Sequence, residues 1–179
     1  LGSSYKDNAH PSTAWMLRTM SHRVRLCARD PVSGERMKAA SGRTPRVVAD
    51  AAFLLQPGTI TDDLRPTIDW IDRQHSAGRV VLGVNFNRPV RTPDREDDRA
   101  RLLESYASTL ARLAREDDSI ALLMIPHDYR SETSDLTQGL ELLDALRDEI
   151  DDERVECVPG RQSPGRLKAV ADRVDAVLT

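Results

Sequence analysis

The sequence predicts an α/β fold in which Rossmann-like parallel sheets are flanked by helices. Strand-like and helical stretches alternate along most of the 179 residues. Two of the strand-like runs, 79–86 (RVVLGVNF) and 119–125 (SIALLMI), are apolar at nearly every position. Such runs are typical of strands that a parallel sheet buries on both faces. We therefore expect helices on both faces of the sheet and right-handed crossovers between the strands.

Residues 1–59 contain the first group of predicted elements. Ser33 is a candidate N-cap for a helix that Gly42 would end. The run Gln56-Pro57-Gly58-Thr59 then breaks the alternating pattern. The predicted elements of this group are the helix 11–21, the strand 23–28, the helix 33–40 and the strand 46–49.

Residues 60–179 contain the second and larger group. Pro66 is tolerated in the first turn of a helix, and Leu102, Tyr106 and Leu110 lie on one apolar stripe of a long helix. A polar loop, 87–97, separates that long helix from the strand before it. The predicted elements are the strands 79–86, 119–125, 154–158 and 174–178 and the helices 64–75, 98–116, 133–150 and 164–173.

The charge distribution also divides the chain near residue 59. Residues 1–59 carry nine basic and four acidic side chains, whereas residues 60–179 carry 17 basic and 25 acidic ones. This split suggests two units with different electrostatic roles. The first unit has only two predicted strands and begins abruptly. We therefore expect 1–59 to be the C-terminal part of one Rossmann-like domain with its crossover, and 60–179 to be most of a second one.

Composition excludes several classes of protein. A net charge of −3 does not fit a generally basic protein that coats nucleic acid. No apolar run approaches the roughly 20 residues that span a bilayer. Cys27 and Cys157 lie in apolar runs without the spacing of a metal site, so we expect two buried thiols in a reducing cytoplasm and no bound metal.

Candidate binding residues follow the predicted strands of the second unit, because ligands bind at the carboxyl ends of the strands in such sheets. Arg88 can clamp a carboxylate or a phosphate in bidentate fashion. His127 can donate a proton or bind a substrate oxygen, with Asp128 beside it to adjust its charge. Arg161 falls at the same edge. A solvated loop position explains Arg88 and His127 about as well.

Arg29 and Asp50 are the corresponding candidates in the first unit. Each follows a predicted strand, and Arg29 would point toward the ligand edge. Capping of the next helix explains the neighbouring Asp30 about as well as ligand binding does. A turn or a cap is likewise the default role of Asp50.

Five segments, taken in order, resemble one family. LGSS (1–4) resembles the tail of a strand-plus-loop element such as GQSIGP. ARDPVS (28–33) looks like its xRDxxS element, and VADAAFLL (48–55) looks like its D-x-AFLL element. RVVLGVNFNRP (79–89) and LLMIPHD (122–128) are similar to the first two strands of its second domain. Together they resemble the polysaccharide pyruvyltransferase family. The order of the elements is the specific part, since each segment alone is a weak signal.

This resemblance implies a GT-B-like two-domain architecture, present only in part, with the active site between the domains. The family transfers a pyruvyl group from phosphoenolpyruvate to two hydroxyls of a sugar, which gives a ketal, and needs no further cofactor. The sugar belongs to a cell-wall polymer, an exopolysaccharide or a lipid-linked precursor, so peripheral association with the cytoplasmic membrane is implied. Arg88 would bind the anionic groups of the donor, and His127 would line the cleft.

The family's Arg-x-His motif would follow a strand resembling DAVLT (175–179), and its histidine is the expected general acid. That motif and the family's N-terminal loop are not in the sequence. We therefore expect the chain alone to be catalytically incomplete.

Two other functions stay open. The first is a GT-B glycosyltransferase that uses a nucleotide sugar, although an aromatic content of 4% offers little for stacking a base. The second is a non-catalytic Rossmann-like interaction domain. Fold alone does not separate these three functions.

Overall fold

The computed structural model describes residues 10–86, 96–129 and 134–178. The chain forms two compact units, Leu1–Leu55 and Gln56–Thr179, whereas the sequence predicted a boundary after residue 59. Both units have parallel strands flanked by helices. The predicted α/β class is therefore confirmed.

The first unit contains two helices and a small parallel sheet among its described residues. Strands β1 and β2 pair in parallel, with Ala28 opposite Val47. Leu17, Leu26, Ala28 and Met37 form its apolar core. Its elements are α1 (Pro11–Thr19), β1 (Cys27–Ala28), α2 (Pro31–Ser41), β2 (Arg46–Val47) and a 3-10 helix (Ala51–Leu54).

Two details of the first unit differ from the prediction. Each strand is two residues long, shorter than the runs 23–28 and 46–49. Helix α2 is capped by Asp30 and not by Ser33, because the Asp30 carboxylate accepts the Ser33 backbone N–H at 2.7 Å and the Ser33 hydroxyl at 2.8 Å. The two bonds hold the pKa of Asp30 below its usual range. Gly42, with φ of 73°, ends the helix as predicted.

The second unit contains a four-stranded parallel sheet, whose strands lie in the order β5 (Val155–Cys157), β4 (Ile120–Met124), β3 (Val80–Val84) and β6 (Ala176–Leu178). The four predicted strands are present, each shorter than its predicted run. Its elements are α3 (Arg65–Ser76), β3 (Val80–Val84), α4 (Glu96–Glu116), β4 (Ile120–Met124), α5 (Asp135–Arg147), a 3-10 helix (Asp152–Arg154), β5 (Val155–Cys157), α6 (Pro164–Ala171) and β6 (Ala176–Leu178).

Strand β4 shows why the sheet is buried on both faces. Its side chains alternate between two separate apolar cores. Leu122 and Met124 pack with α4 and α5, while Ala121 and Leu123 pack with α3 and α6. Every residue of β4 is buried, so a continuous apolar run is the pattern this position requires. Within the described residues, no helix is both long and apolar enough to cross a membrane.

The two ends of the strands define two edges of this sheet. The amino edge is where β3, β4, β5 and β6 begin, and the carboxyl edge is where they end. At the amino edge lies Arg154, whose side chain is 8% exposed. Its guanidinium donates to the backbone carbonyls of Ala114, Asp117 and Ile120 and to the Asp118 carboxylate. Arg154 thereby joins the end of α4 to the starts of β4 and β5.

Candidate functional site

The loop that follows β4 at the carboxyl edge, 126–129, presents the candidate catalytic side chain. Pro126 is buried, His127 is exposed, and Asp128 and Tyr129 are half-buried. The last residue before the loop, Ile125, continues the ladder, because its N–H donates to the Val84 carbonyl at 2.8 Å. The loop therefore leaves the sheet at a fixed point, with the His127 side chain exposed.

The carboxylate of Asp135 fixes the backbone of this loop through hydrogen bonds. Asp135 is the first residue of α5 and is only 3% exposed. Its Oδ2 accepts the backbone N–H groups of His127 at 3.0 Å and of Asp128 at 2.9 Å. The Asp135 N–H in turn donates to the Asp128 carbonyl at 2.9 Å. Three bonds therefore tie the His127 loop to the start of α5.

Asn85 extends the same network to the neighbouring strands. It lies just beyond β3, and its Nδ2 donates to the Ile125 carbonyl and to Asp135 Oδ2, both at 3.0 Å. Its backbone N–H donates to the Leu178 carbonyl of β6 at 2.8 Å. One asparagine therefore links the carboxyl ends of β6 and β4 to Asp135.

A second polar group fastens the loop that follows β5. Gln162, 5% exposed, donates through Nε2 to the Pro159 carbonyl at 2.8 Å and to Asp63 at 2.9 Å. The nearby Thr61 hydroxyl and the Gln162 amide hold the pKa of Asp63 below its usual range. The Tyr129 hydroxyl donates to the Pro126 carbonyl at 2.9 Å. Burial raises the pKa of Tyr129, so its phenol stays protonated at neutral pH.

Three of the predicted residues lie at this carboxyl edge. His127 and Asp128 share one loop, and Asp135 sets the backbone of both. Arg161 is exposed on the loop after β5, the strand next to β4. The position of Arg88 lies outside the described residues, so its predicted role in donor binding stays a prediction.

In the first unit the structure brings Arg29 and Asp50 together. Arg29 follows β1, Asp50 follows β2, and Arg29 Nη1 lies 3.0 Å from Asp50 Oδ2. Asp50 also caps the 3-10 helix, because its Oδ1 accepts the Ala52 N–H at 3.0 Å. The Ala52 bond and the Arg29 cation hold the pKa of Asp50 below its usual range. Asp50 therefore has the predicted capping role and, in addition, an ion pair with Arg29.

The cysteines do not supply a nucleophile at neutral pH in the second unit. Cys157 is buried in the core formed with α5, and this burial raises the pKa of its thiol to about 12. Cys27 is half-buried rather than buried as predicted. Where the structure describes side chains, no group of three or more His, Cys, Asp or Glu residues could hold a metal ion.

Sequence reasoning missed Asp135 and Asn85 as parts of the site. An asparagine directly after an apolar strand, and an aspartate just after the start of a predicted helix, are the signals that were available. Each has an ordinary local explanation, as a strand end and as a first-turn acid. Their partnership spans 50 residues of sequence, so no local pattern reveals it.

The carboxyl edge can therefore support proton exchange or hydrogen bonding at an exposed imidazole whose backbone is fixed. The guanidinium of Arg161, on the adjacent loop, adds positive charge for an anionic ligand. Comparisons of the chain with protein-family models, with curated proteins and with solved structures found no match.

Proposed function

We propose that the chain is part of a polysaccharide pyruvyltransferase. The observation that carries the proposal is the His127 loop, in which an exposed imidazole stands on a backbone fixed by a buried carboxylate. The segment LLMIPHD (122–128), which resembles the family, contains the last three residues of β4 and most of this loop. The exposed Arg161 on the adjacent loop also supports a site for an anionic donor.

The proposed reaction places specific demands on its site. A proton adds to the terminal CH₂ carbon of phosphoenolpyruvate, and a sugar hydroxyl attacks the oxocarbenium-like carbon that results. A second hydroxyl then displaces inorganic phosphate, so that a pyruvate ketal forms and both hydroxyl protons are released. Such a sequence requires a proton donor and cations on the carboxylate and the leaving phosphate.

Each candidate residue has a role in this proposal. His127 contacts the reacting groups and exchanges a proton or donates a hydrogen bond to a substrate oxygen. Arg88 binds the anionic groups of the donor, and Asp128 accepts a hydrogen bond from an acceptor hydroxyl. The resemblance assigns the general acid to the histidine of the family's Arg-x-His motif, so His127 is a second group that exchanges a proton or binds a substrate oxygen.

The acceptor and the location belong to the same proposal. The acceptor is a sugar of a cell-wall polymer or exopolysaccharide, or its lipid-linked precursor. The enzyme then works in the cytoplasm, with peripheral contact to the membrane where a lipid-linked acceptor is presented.

The test is the formation of ketal by the full-length protein with phosphoenolpyruvate and a polysaccharide acceptor. Phosphate release and the methyl NMR signal of the ketal are the two readouts. His127→Ala is expected to lower the rate by about 100-fold or more, the usual contribution of a positioned proton-transfer group. His75→Ala is the matched control, because His75 is an imidazole paired with Asp175 at the amino edge. Equal rates for His127→Ala and the unaltered protein would exclude the role of His127.

Ligand-induced thermal stabilisation separates the alternative functions. The proposal predicts that phosphoenolpyruvate raises the Tm of the full-length protein and that nucleotide sugars do not. A shift with a nucleotide sugar alone would indicate a glycosyltransferase. No shift with either ligand would favour an interaction domain.

A further inference from the structure

We propose that Asp135 is a positioning residue, which sets the orientation of the His127 loop and acts on the chemistry only through His127. The proposal rests on the proposed function for the part that His127 plays in the reaction. Its structural half, that Asp135 fixes the backbone of the loop, can be tested without any substrate.

The Asp135 carboxylate accepts hydrogen bonds from groups outside its own helix. An aspartate in the first turn of a helix ordinarily interacts with the helix's own N-terminal amides. In α5 that task belongs to Ser134, whose hydroxyl accepts the Thr137 N–H. The Asp135 Oδ2 atom instead takes three donors from outside the helix, namely the amides of His127 and Asp128 and the side chain of Asn85.

The Asp135 side chain is also buried. Asp135 is 3% exposed, so water does not compete for its carboxylate. A buried carboxylate is stable only where donors satisfy it, and hydrogen bonds to a charged acceptor are stronger than those between neutral groups. Two successive loop amides meeting one such oxygen leave the backbone little freedom. The exposed His127 side chain therefore stands on a rigid base.

Asn85 links Asp135 to the strands of the sheet. Its side-chain amide bridges the Ile125 carbonyl and Asp135, and its backbone bonds to Leu178. Through Asn85, Asp135 is therefore connected to the ends of β4 and β6 as well as to its own helix. A site built on the sheet itself is more precise than one built on a loop alone.

Amide hydrogen exchange tests the structural half. Asp135→Asn replaces the charged acceptor with a neutral one of the same shape. We expect the amides of His127 and Asp128 to exchange about tenfold faster or more in this variant. Asp175→Asn is the matched control, since the Asp175 carboxylate accepts the Val81 N–H at 2.7 Å. That variant is expected to accelerate Val81 and to leave His127 and Asp128 unchanged.

If Asp135→Asn does not fold, Asp135→Glu serves as the second variant, because it keeps the charge and moves it by one methylene. The same two amides are expected to lose protection, by a smaller factor. Unchanged exchange at both amides in a folded variant would overturn the proposal.

A double-mutant cycle on the full-length protein tests the catalytic half. Asp135→Asn is expected to lower kcat by about 10- to 100-fold, the effect of misplacing a reacting group, with little change in the KM for phosphoenolpyruvate. In the His127→Ala background the same change is expected to cost nothing further. An equal loss in both backgrounds would show that Asp135 acts on stability or on another group, and would overturn the proposal. An unaltered protein with no phosphoenolpyruvate turnover would refute the proposed function, and the exchange data would still decide whether Asp135 fixes the loop.

Discussion

The two edges of the four-stranded sheet are held by buried charges of opposite sign. At the amino edge the guanidinium of Arg154 donates hydrogen bonds to backbone carbonyls at the end of α4 and the start of β4. At the carboxyl edge the carboxylate of Asp135 accepts hydrogen bonds from backbone amides of the loop after β4. Each charge matches the backbone groups that its edge leaves without partners: carbonyls where a helix ends, amides where a loop leaves a strand.

The difference lies in what remains exposed at each edge. The guanidinium of Arg154 donates its hydrogen bonds to backbone carbonyls and to the Asp118 carboxylate. This cluster of bonds therefore joins secondary-structure elements and presents no reactive group. Around Asp135 the backbone is satisfied while the His127 side chain stays exposed. The cluster around Arg154 is thus a structural junction, whereas the loop that Asp135 fixes supports a side chain that can meet a ligand.

The largest effect is expected from breaking the amino edge. Arg154→Ala removes the guanidinium donors of the buried Ala114 and Ile120 carbonyls, so we expect the free energy of unfolding to fall by about 3–5 kcal/mol. Urea denaturation monitored by circular dichroism measures this loss.

Arg147→Ala is the matched control for that measurement. Arg147 is a half-exposed arginine that pairs with Asp144 and Asp152 near the same edge. Its removal is expected to change stability by less than about 1 kcal/mol. Similar losses in the two variants would contradict a special role for Arg154.

A smaller effect is expected from Gly58, which packs against the start of α6 at the carboxyl edge. Its N–H donates to the Gly165 carbonyl at 2.7 Å, and a Cβ at Gly58 would lie 2.9 Å from the Gly165 carbonyl carbon. Because backbone cannot move aside as a flexible side chain does, Gly58→Ala is expected to cost about 1–3 kcal/mol. Thermal or urea unfolding of the variant measures this loss.

Gly139→Ala offers the comparison for Gly58. Gly139 lies inside α5, and a Cβ there would meet Met124 and Cys157 at ordinary contact distances of 3.6 and 3.7 Å. Its replacement is expected to leave stability unchanged or to raise it by up to about 1 kcal/mol, since alanine is the better helix former. Equal losses at both glycines would contradict the close approach at Gly58.

The smallest effect is a pH dependence at the amino edge. The Val81 N–H, and after it His75, hold the pKa of the Asp175 carboxyl below its usual value of 3.8. A carboxyl with a lowered folded pKa stabilises the fold above its unfolded pKa, and this contribution disappears as pH falls through the folded value. We expect the stability of the unaltered protein to fall more steeply below about pH 4 than that of Asp175→Asn. Parallel pH profiles for the two proteins would contradict the assignment.

The elements that sequence predicted well are those whose signal is local. The runs 79–86 and 119–125 predicted β3 and β4 because a strand buried on both faces must be apolar throughout. Asp30 and Gly42 bound α2, and of the two residues that the sequence offered as its N-cap, Asp30 and Ser33, the structure uses Asp30. The strands of the first unit are two residues long and were predicted too long, because a strand-like sequence pattern does not show how far pairing with the neighbouring strand extends.

The parts that sequence could not predict depend on contacts between distant residues. Arg154 was assigned to the start of a strand, and nothing local indicates that its guanidinium reaches Ala114, 40 residues earlier. Asp135 looks like an ordinary first-turn acid until the fold brings Asn85 beside it. His127 was predicted from its place after a buried strand, whereas the reason for its fixed backbone became visible only in three dimensions.

Hydrogen exchange measured by mass spectrometry, on the full-length protein with and without phosphoenolpyruvate, most directly tests whether the carboxyl edge holds the donor. We expect saturating phosphoenolpyruvate to slow amide exchange in peptides covering residues 85–86 and 125–129. The exchange rates of peptides around Arg154 and Asp118 are expected to stay unchanged. Slowed exchange confined to the amino edge, or no change in the His127 loop at saturation, would contradict this expectation.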